Sequence, residues 1–243
     1  MERVVQPEWL DNLRPDDPEA QQSRRDLCRV NRLMGHARVM AFQLRTLFPE
    51  KPPRRLIELG SGDGLFSLAL AQRLSPRWPN VEIVLVDRAN LLSNKTNNEF
   101  QQLGWSVQSR TIDVFAFLES AEKADCIFAN LFLHHFEPVQ LRSMFRRCAV
   151  LSTHLTACEP RRSAFAARAA QALGWIGCNR VTQHDAVVSV QAGFHGDELS
   201  ALWPDPDGWV CIEQPRGLFS HAFTACRRRA RAEPDSNPVV TRG

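Results

Sequence analysis

Three glycines alternate with polar residues in Ile57-Glu58-Leu59-Gly60-Ser61-Gly62-Asp63-Gly64, directly after a short apolar run and directly before a helical one. Glycine there permits a tight backbone turn and lets a ligand approach the main chain more closely than any Cβ would allow. A nucleotide-like ligand suits such a crevice, and two ligand classes compete for it. A dinucleotide turn wants glycine at its first, third and sixth positions, so that a pyrophosphate rests on the helix N-terminus. Here Leu65 holds the sixth position and Gly64 the fifth, which weakens the pyrophosphate reading. Asp87 closes the next apolar run, where a carboxylate can accept both hydroxyls of a ribose in either class. Further on, His134 and His135 offer imidazoles whose ordinary pKa suits proton removal from a hydroxyl. Neighbours in sequence cannot both face one point, so at most one of them serves as base. His184-Asp185 is a second acid–imidazole pair, with the alternative that Asp185 caps a helix beginning Ala186-Val187-Val188. His221 sits in an expected strand and reads as structural.

The elements that must position these residues follow a strand–helix alternation. Strands are expected at Leu56–Leu59, Val81–Val86, within Trp105–Ile112, at Cys126–Ala129 and in a run ending at Cys158. Helices are expected at Leu65–Leu74, around Leu91–Leu103, near Phe115–Ala121, at Pro138–Arg147 and within Arg162–Leu173. Continuous apolar strands imply burial on both faces, hence an α/β, doubly wound, Rossmann-like and mostly parallel sheet. From Gly174 the rhythm loosens, and Trp209–Gln214 and Leu218–Cys226 flank a Pro215-Arg216-Gly217 turn as a hairpin. Residues 1–50 form an N-terminal helical extension, with Leu27, Val30, Leu33 and Met34 at helical spacing. Residues 51–226 form the main domain, and 227–243 an Arg- and Pro-rich tail expected to fray.

Composition removes several classes. At 243 residues, with 44% hydrophobic and 23% charged, the chain can bury a core and is neither disordered throughout nor fibrous. Its longest apolar stretches are interrupted by polar groups well short of the ~18 residues a membrane span requires, and the absence of a basic-then-apolar start favours the cytoplasm. Seven cysteines without a Cys-x-x-Cys pair suggest reduced core filler and neither a metal site nor a disulfide frame. A net charge of +3 is too small to imply nucleic acid by itself. Tyrosine is absent, so no tyrosine can act as acid, base or nucleophile.

The pattern acid-x-Gly-x-Gly-x-Gly resembles the first motif of the class I S-adenosylmethionine-dependent methyltransferases, and Asp87 stands where that superfamily keeps its ribose acid. Ile112-Asp113-Val114 resembles its adenine clamp, with the alternative that Asp113 only caps the following helix, two roles that can coexist. Ala124-Asp125-Cys126-Ile127-Phe128-Ala129-Asn130-Leu131-Phe132-Leu133-His134-His135-Phe136 is similar to the fourth-strand motif of small-molecule members. Ser23-Arg24-Arg25-Asp26-Leu27 and Ala157-Cys158-Glu159-Pro160-Arg161-Arg162 look like blocks of a bacterial branch. The resemblance covers Arg55 to Cys158 and, more loosely, the terminal hairpin. It implies seven strands with the last reversed, and S-adenosyl-L-methionine as cofactor. The residues it implies for cofactor binding are Glu58, Gly60, Ser61, Gly62, Asp63, Gly64, Asp87, Asp113, Val114 and Asn130.

Glu58 is assigned either to the glycine turn or to the cofactor's ammonium, and Asp63 to a helix cap or to the methionine end. With Phe136 beside it, His135 is the preferred base and His134 the alternative. The expected reaction is methyl transfer to a small aromatic or polyketide-like acceptor at oxygen, with carbon methylation of a quinone-type ring as the rival. In many small-molecule members the helical preamble folds over the sheet edge as a lid, so Arg24, Arg25 and Arg38 bind an anionic substrate or solvate a helix face. Two other classes compete with this reading: a cofactor-binding partner without catalysis, and a nucleic-acid protein using Arg227-Arg228-Arg229 and Arg231. The second is disfavoured because Asn130-Leu131-Phe132 lacks the paired prolines of base-modifying methylases.

Overall fold

A computed structural model describes residues 1–14 and 16–228. Apart from Arg227 and Arg228, the expected tail lies outside the described residues. The strands are β1 (Arg55–Leu59), β2 (Glu82–Asp87), β3 (Ser106–Thr111), β4 (Ala124–Asn130), β5 (Ser152–Pro160), β6 (Trp209–Arg216) and β7 (Ser220–Arg227). They form one seven-stranded sheet in the order β3-β2-β1-β4-β5-β7-β6, in which β7 runs antiparallel to both of its neighbours and the other pairs are parallel. The helices are α1 (Pro18–Met34), α2 (His36–Leu47), α3 (Leu65–Leu74), α4 (Asn94–Gln102), α5 (Val114–Ser120), α6 (Pro138–Leu151), α7 (Ala164–Gln171) and α8 (Arg180–Ala192). The doubly wound sheet and reversed strand are as the sequence implies.

Alternation along the central strands explains why both faces must be covered. Ile57, Val84, Val86, Ile127 and Ala129 pack with Leu118 of α5 and Phe145 of α6. The intervening Leu56, Ile83, Leu85, Cys126 and Phe128 pack on the opposite face with Leu70 of α3 and with Met40 and Leu44 of α2. The second half of the N-terminal extension therefore belongs to the core. α1 departs from the expected apolar stripe: Leu33 is exposed, whereas Asp26 is fully buried, accepting from the Asn179 backbone N–H at 2.8 Å and the Thr182 hydroxyl at 3.3 Å. Those bonds join α1 to α8, which begins at Arg180, ahead of the helix start expected at Ala186, and whose inward positions include Thr182 and Asp185. Asp185 lies inside α8 and caps no helix start of its own. Its two oxygens accept the backbone N–H groups of Trp9 and Leu10 at 2.8 and 3.0 Å. Among the described residues no helix is long and apolar enough to cross a membrane.

Candidate active site

β1 and β4 are sheet neighbours whose following chain turns in opposite directions, which opens a crevice at their carboxyl ends. The glycine turn occupies it. The Gly60 and Ser61 N–H groups donate to the Val86 carbonyl at 2.9 and 3.0 Å, tying the turn to β2. Gly60 has φ +71°, and a Cβ there would stand 2.1 Å from a ring carbon of Phe132, so the close approach at this glycine is made by a side chain of the protein itself. Gly62 has φ +55°, and a Cβ there would meet open space. Asp87 fixes this turn: its carboxylate accepts from the Gly62 N–H at 2.8 Å and from the Ala89 N–H at 2.9 Å. Glu58 is buried beneath the turn and accepts from the Ser67 hydroxyl at 2.5 Å. Burial, with Asp63 and Asp87 nearby, pushes the Glu58 carboxyl up to about 8 against the opposing Ser67 bond, and burial also raises Asp63.

A cavity of about 480 Å³ unites Glu58, Gly60–Asp63, Asp87 and Asn130 with His134. One face of α1 and the N-terminal segment at Glu8, Leu10, Asp11 and Leu13 also line it. That segment is held at both ends. The Arg3 guanidinium donates to the carbonyls of Ala192, His134 and Phe136, and Trp9 stacks on His184 with ring centroids 3.8 Å apart.

The two histidines have unequal surroundings. Glu159, fully buried at the end of β5, accepts the backbone N–H groups of Phe132 and Leu133 at 3.1 and 3.0 Å and faces His134 Nδ1 at 2.8 Å. The other His134 nitrogen faces Glu8 at 3.3 Å, and Glu8 also accepts from the Ser189 hydroxyl. Burial alone would lower the His134 pKa, but the bonds to Glu159 and Glu8 raise it to about 9. Burial alone would raise Glu8, but His134 and His135 hold it at about 2. His134 is thus an imidazolium between two carboxylates. His135 lies against it, ring centroids 4.3 Å apart, with Asp11 3.7 Å from its Nδ1. Burial and the His134 charge lower its pKa, leaving an uncharged imidazole. Ligand atoms of Glu8, His134 and His135 lie within 4.8 Å of one another, but with both His134 nitrogens engaged by carboxylates the cluster has the chemistry of an ion-pair network.

Of the residues that the sequence singled out, Glu58, Gly60, Ser61, Gly62, Asp63, Asp87, Asn130 and His134 are brought to one cavity. Gly64, Asp113, Val114 and His135 are not among its lining residues. Gly64 opens α3 in the left-handed conformation. Asp113 caps α5, accepting from the Phe115 N–H at 2.8 Å, and Val114 is buried in the core. His184 is occupied by Trp9 and lies 2.9 Å from Asp185, outside the cavity, and His221 is buried against Glu213 at 2.6 Å. Sequence reasoning missed Glu8, His36, Asn31 and Glu159. For Glu159 a signal existed, an acid closing an apolar strand as Asp87 does. Glu8 carries none in its own neighbourhood.

The family model described as a methyltransferase domain matches residues 56–154, the stretch from β1 into β5. No curated protein matches the chain. Among solved structures, the plantazolicin methyltransferase BpumL, determined with SAH, superposes with a TM-score of 0.63 at 13% identity, covering 88% of this chain and 92% of that one. A putative O-methyltransferase from Nostoc punctiforme gives 0.59 at 14% identity, covering 93% of this chain and 64% of its own. An O-methyltransferase family protein from Burkholderia thailandensis gives 0.58 at 15%, covering 86% and 62%. Residues 56–154 thus match a methyltransferase domain, and the fold of the chain is the one these solved structures share.

Proposed function

We propose that this protein transfers a methyl group from S-adenosylmethionine to a small acceptor, at an oxygen of an aromatic or polyketide-like metabolite. The observation that carries this reading is a single cavity joining the glycine turn, Asp87 and Asn130 to the histidine cluster at the carboxyl edge of the sheet. The residues fit the cofactor. Gly62 offers bare main chain to open space, Asp87 can accept ribose hydroxyls, and Glu58, raised to about 8, is a carboxyl that a cation would ionise, with Asp63 beside it as a second acidic group. S-Adenosylmethionine supplies a methyl group made electrophilic by its sulfonium.

The protein's task is to align the acceptor and keep water out, which accounts for much of the barrier reduction in such a displacement. The anchored N-terminal segment and α1 roof the cavity for this purpose. His135 packs on His134 just behind the cavity lining and is the uncharged imidazole of the pair, which makes it the group to take the acceptor's proton once an acceptor reaches past His134; His134, held as a cation by Glu8 and Glu159, keeps it uncharged. Structures described as O-methyltransferases among the neighbours support oxygen as the acceptor atom. The test is release of S-adenosylhomocysteine over a panel of phenols and hydroxylated polyketides. His135→Ala should cut turnover about a hundredfold or more and leave cofactor affinity unchanged. Full activity in that variant would remove the base assignment, and turnover confined to acceptors lacking a hydroxyl would remove the oxygen assignment.

A further inference from the structure

Where the N-terminal segment passes the chain beyond β4, Glu8 and His134 are both buried, and an oxygen of the first lies 3.3 Å from Nε2 of the second. With His135 they bring three ligand atoms, one oxygen and two nitrogens, within 4.8 Å of one another. In a tetrahedral centre with bonds of about 2.1 Å, ligand atoms stand about 3.4 Å apart. The Glu8–His134 pair is already at that spacing, and the third atom has to close by no more than about 1.4 Å. The groups behind the three are arranged as they are behind metal ligands. Glu159 faces His134 Nδ1 at 2.8 Å, which leaves Nε2 directed at Glu8. A carboxylate in that place is the usual outer partner of a metal-bound imidazole, fixing its tautomer and raising its basicity. The Ser189 hydroxyl holds Glu8 in the same way, and Asp11 stands 3.7 Å from His135 Nδ1. Glu8 and His134 border the cavity, which gives an ion its route in.

The ion-pair network and a metal centre are two uses of the same atoms: a proton on Nε2 joins His134 to Glu8, and a divalent ion joins them in its place. We propose that Glu8, His134 and His135 bind one divalent transition ion, Zn²⁺ in preference to Mg²⁺ or Ca²⁺. Two imidazoles among three ligands select a borderline ion over ions that seek oxygen. Binding is an exchange. The ion bonds the Nε2 electron pair of His134, the proton carried there leaves to solvent, and the Nδ1–H stays donated to Glu159. His135 contributes a ring electron pair. A ring whose electron pair is on a metal takes no proton from an acceptor, so the bound ion stops turnover. That consequence rests on the reading of His135 as the base, whereas the site itself does not.

Isothermal titration of the full chain with zinc chloride and with magnesium chloride tests the site, together with the visible spectrum of the chain loaded with Co²⁺. Zn²⁺ should bind saturably at one ion per chain and Mg²⁺ should not, and Co²⁺ should show no sulfur-to-metal charge-transfer band, because no cysteine is a ligand. His135→Ala and Glu8→Gln should each weaken Zn²⁺ by more than the roughly ten- to hundredfold that losing a partner behind a ligand costs. His195→Ala, at an exposed histidine elsewhere, should bind as wild type does. Melting of His135→Ala with wild type in the absence of zinc separates a lost ligand from a lost fold. Wild-type protein that binds no Zn²⁺ would overturn the proposal, and so would unchanged affinity in His135→Ala or a thiolate band with Co²⁺. Zn²⁺ bound through these residues while turnover of an identified acceptor continues would instead remove His135 as the base and leave the site standing.

Discussion

The Nδ1 of His36 stands 2.8 Å from the Oδ1 of Asn130, so the first residue of α2 holds the last residue of β4. An amide oxygen only accepts, so these partners assign the ring proton to Nδ1 and leave Nε2 to accept from the Ser220 hydroxyl at 2.8 Å. His36 is fully buried, and burial, opposed by the Asn130 bond, lowers its pKa to about 4. The neutral ring ties the oxygen of a cavity-lining amide to the N-terminal helices and leaves the amide nitrogen to the site. Leu131, next in the chain, has φ +52°, a left-handed conformation that is strained for leucine and persists where the surrounding structure enforces it.

His36→Ala should lose about 2–4 kcal/mol of stability, from the void and from the two polar groups left without partners. The pH dependence carries a signature of its own. Because the folded pKa lies below the ordinary 6.5, the unfolded chain binds a proton that the folded protein refuses between about 4 and 6.5, so acidification through that window destabilises the wild type. Urea denaturation across the window should show a shallower slope for His36→Ala. Parallel curves would contradict the neutral-ring assignment.

The His134 ion pairs make the opposite prediction about alkali. With its folded pKa at about 9, His134 contributes stability that is complete below 6.5 and is lost as the pH rises through about 9. Glu8, held at about 2, contributes above 4.5 and is lost only as the pH falls towards 2. His134→Gln leaves two buried carboxylates without their cation and should cost about 3–5 kcal/mol near neutrality. The gap between wild type and variant, followed by denaturation from pH 6.5 upwards, should shrink. A constant gap would mean that His134 is uncharged in the fold.

These two networks also show what the sequence could and could not reveal. The sheet was legible because its central strands are apolar on both faces, and a run such as Ile127–Ala129 has no other stable place. The glycine turn and Asp87 were legible because their chemistry is local. Asp113 was ambiguous for the same reason, since one carboxylate suits a cap or a ligand, and it caps α5. Glu8 and His134 meet across a chain separation that no periodicity encodes. The start of α8 was placed too late, at Ala186 in place of Arg180, because its first turns bring Thr182 and Asp185 inwards to bond the N-terminal segments, which breaks the apolar stripe that identifies a buried helix.

Glu58 should report cofactor binding through protons. At neutral pH a carboxyl raised to about 8 is largely protonated, and a cationic ligand beside it favours ionisation. Binding of S-adenosylmethionine at pH 7 should therefore release a fraction of a proton, seen as a binding heat that varies with the ionisation enthalpy of the buffer. The release should fade above about 8, where Glu58 is already charged, and be absent in Glu58→Gln. Equal heats in all buffers would place Glu58 away from the ligand's positive groups.

Calorimetry of the wild-type chain with S-adenosylhomocysteine and with NAD tests the central claim most directly. The account predicts saturable binding of the sulfur compound and none of the dinucleotide, with Asp87→Ala weakening the former by about 2 kcal/mol through lost charge-assisted hydrogen bonds. Binding of NAD in place of S-adenosylhomocysteine would contradict it.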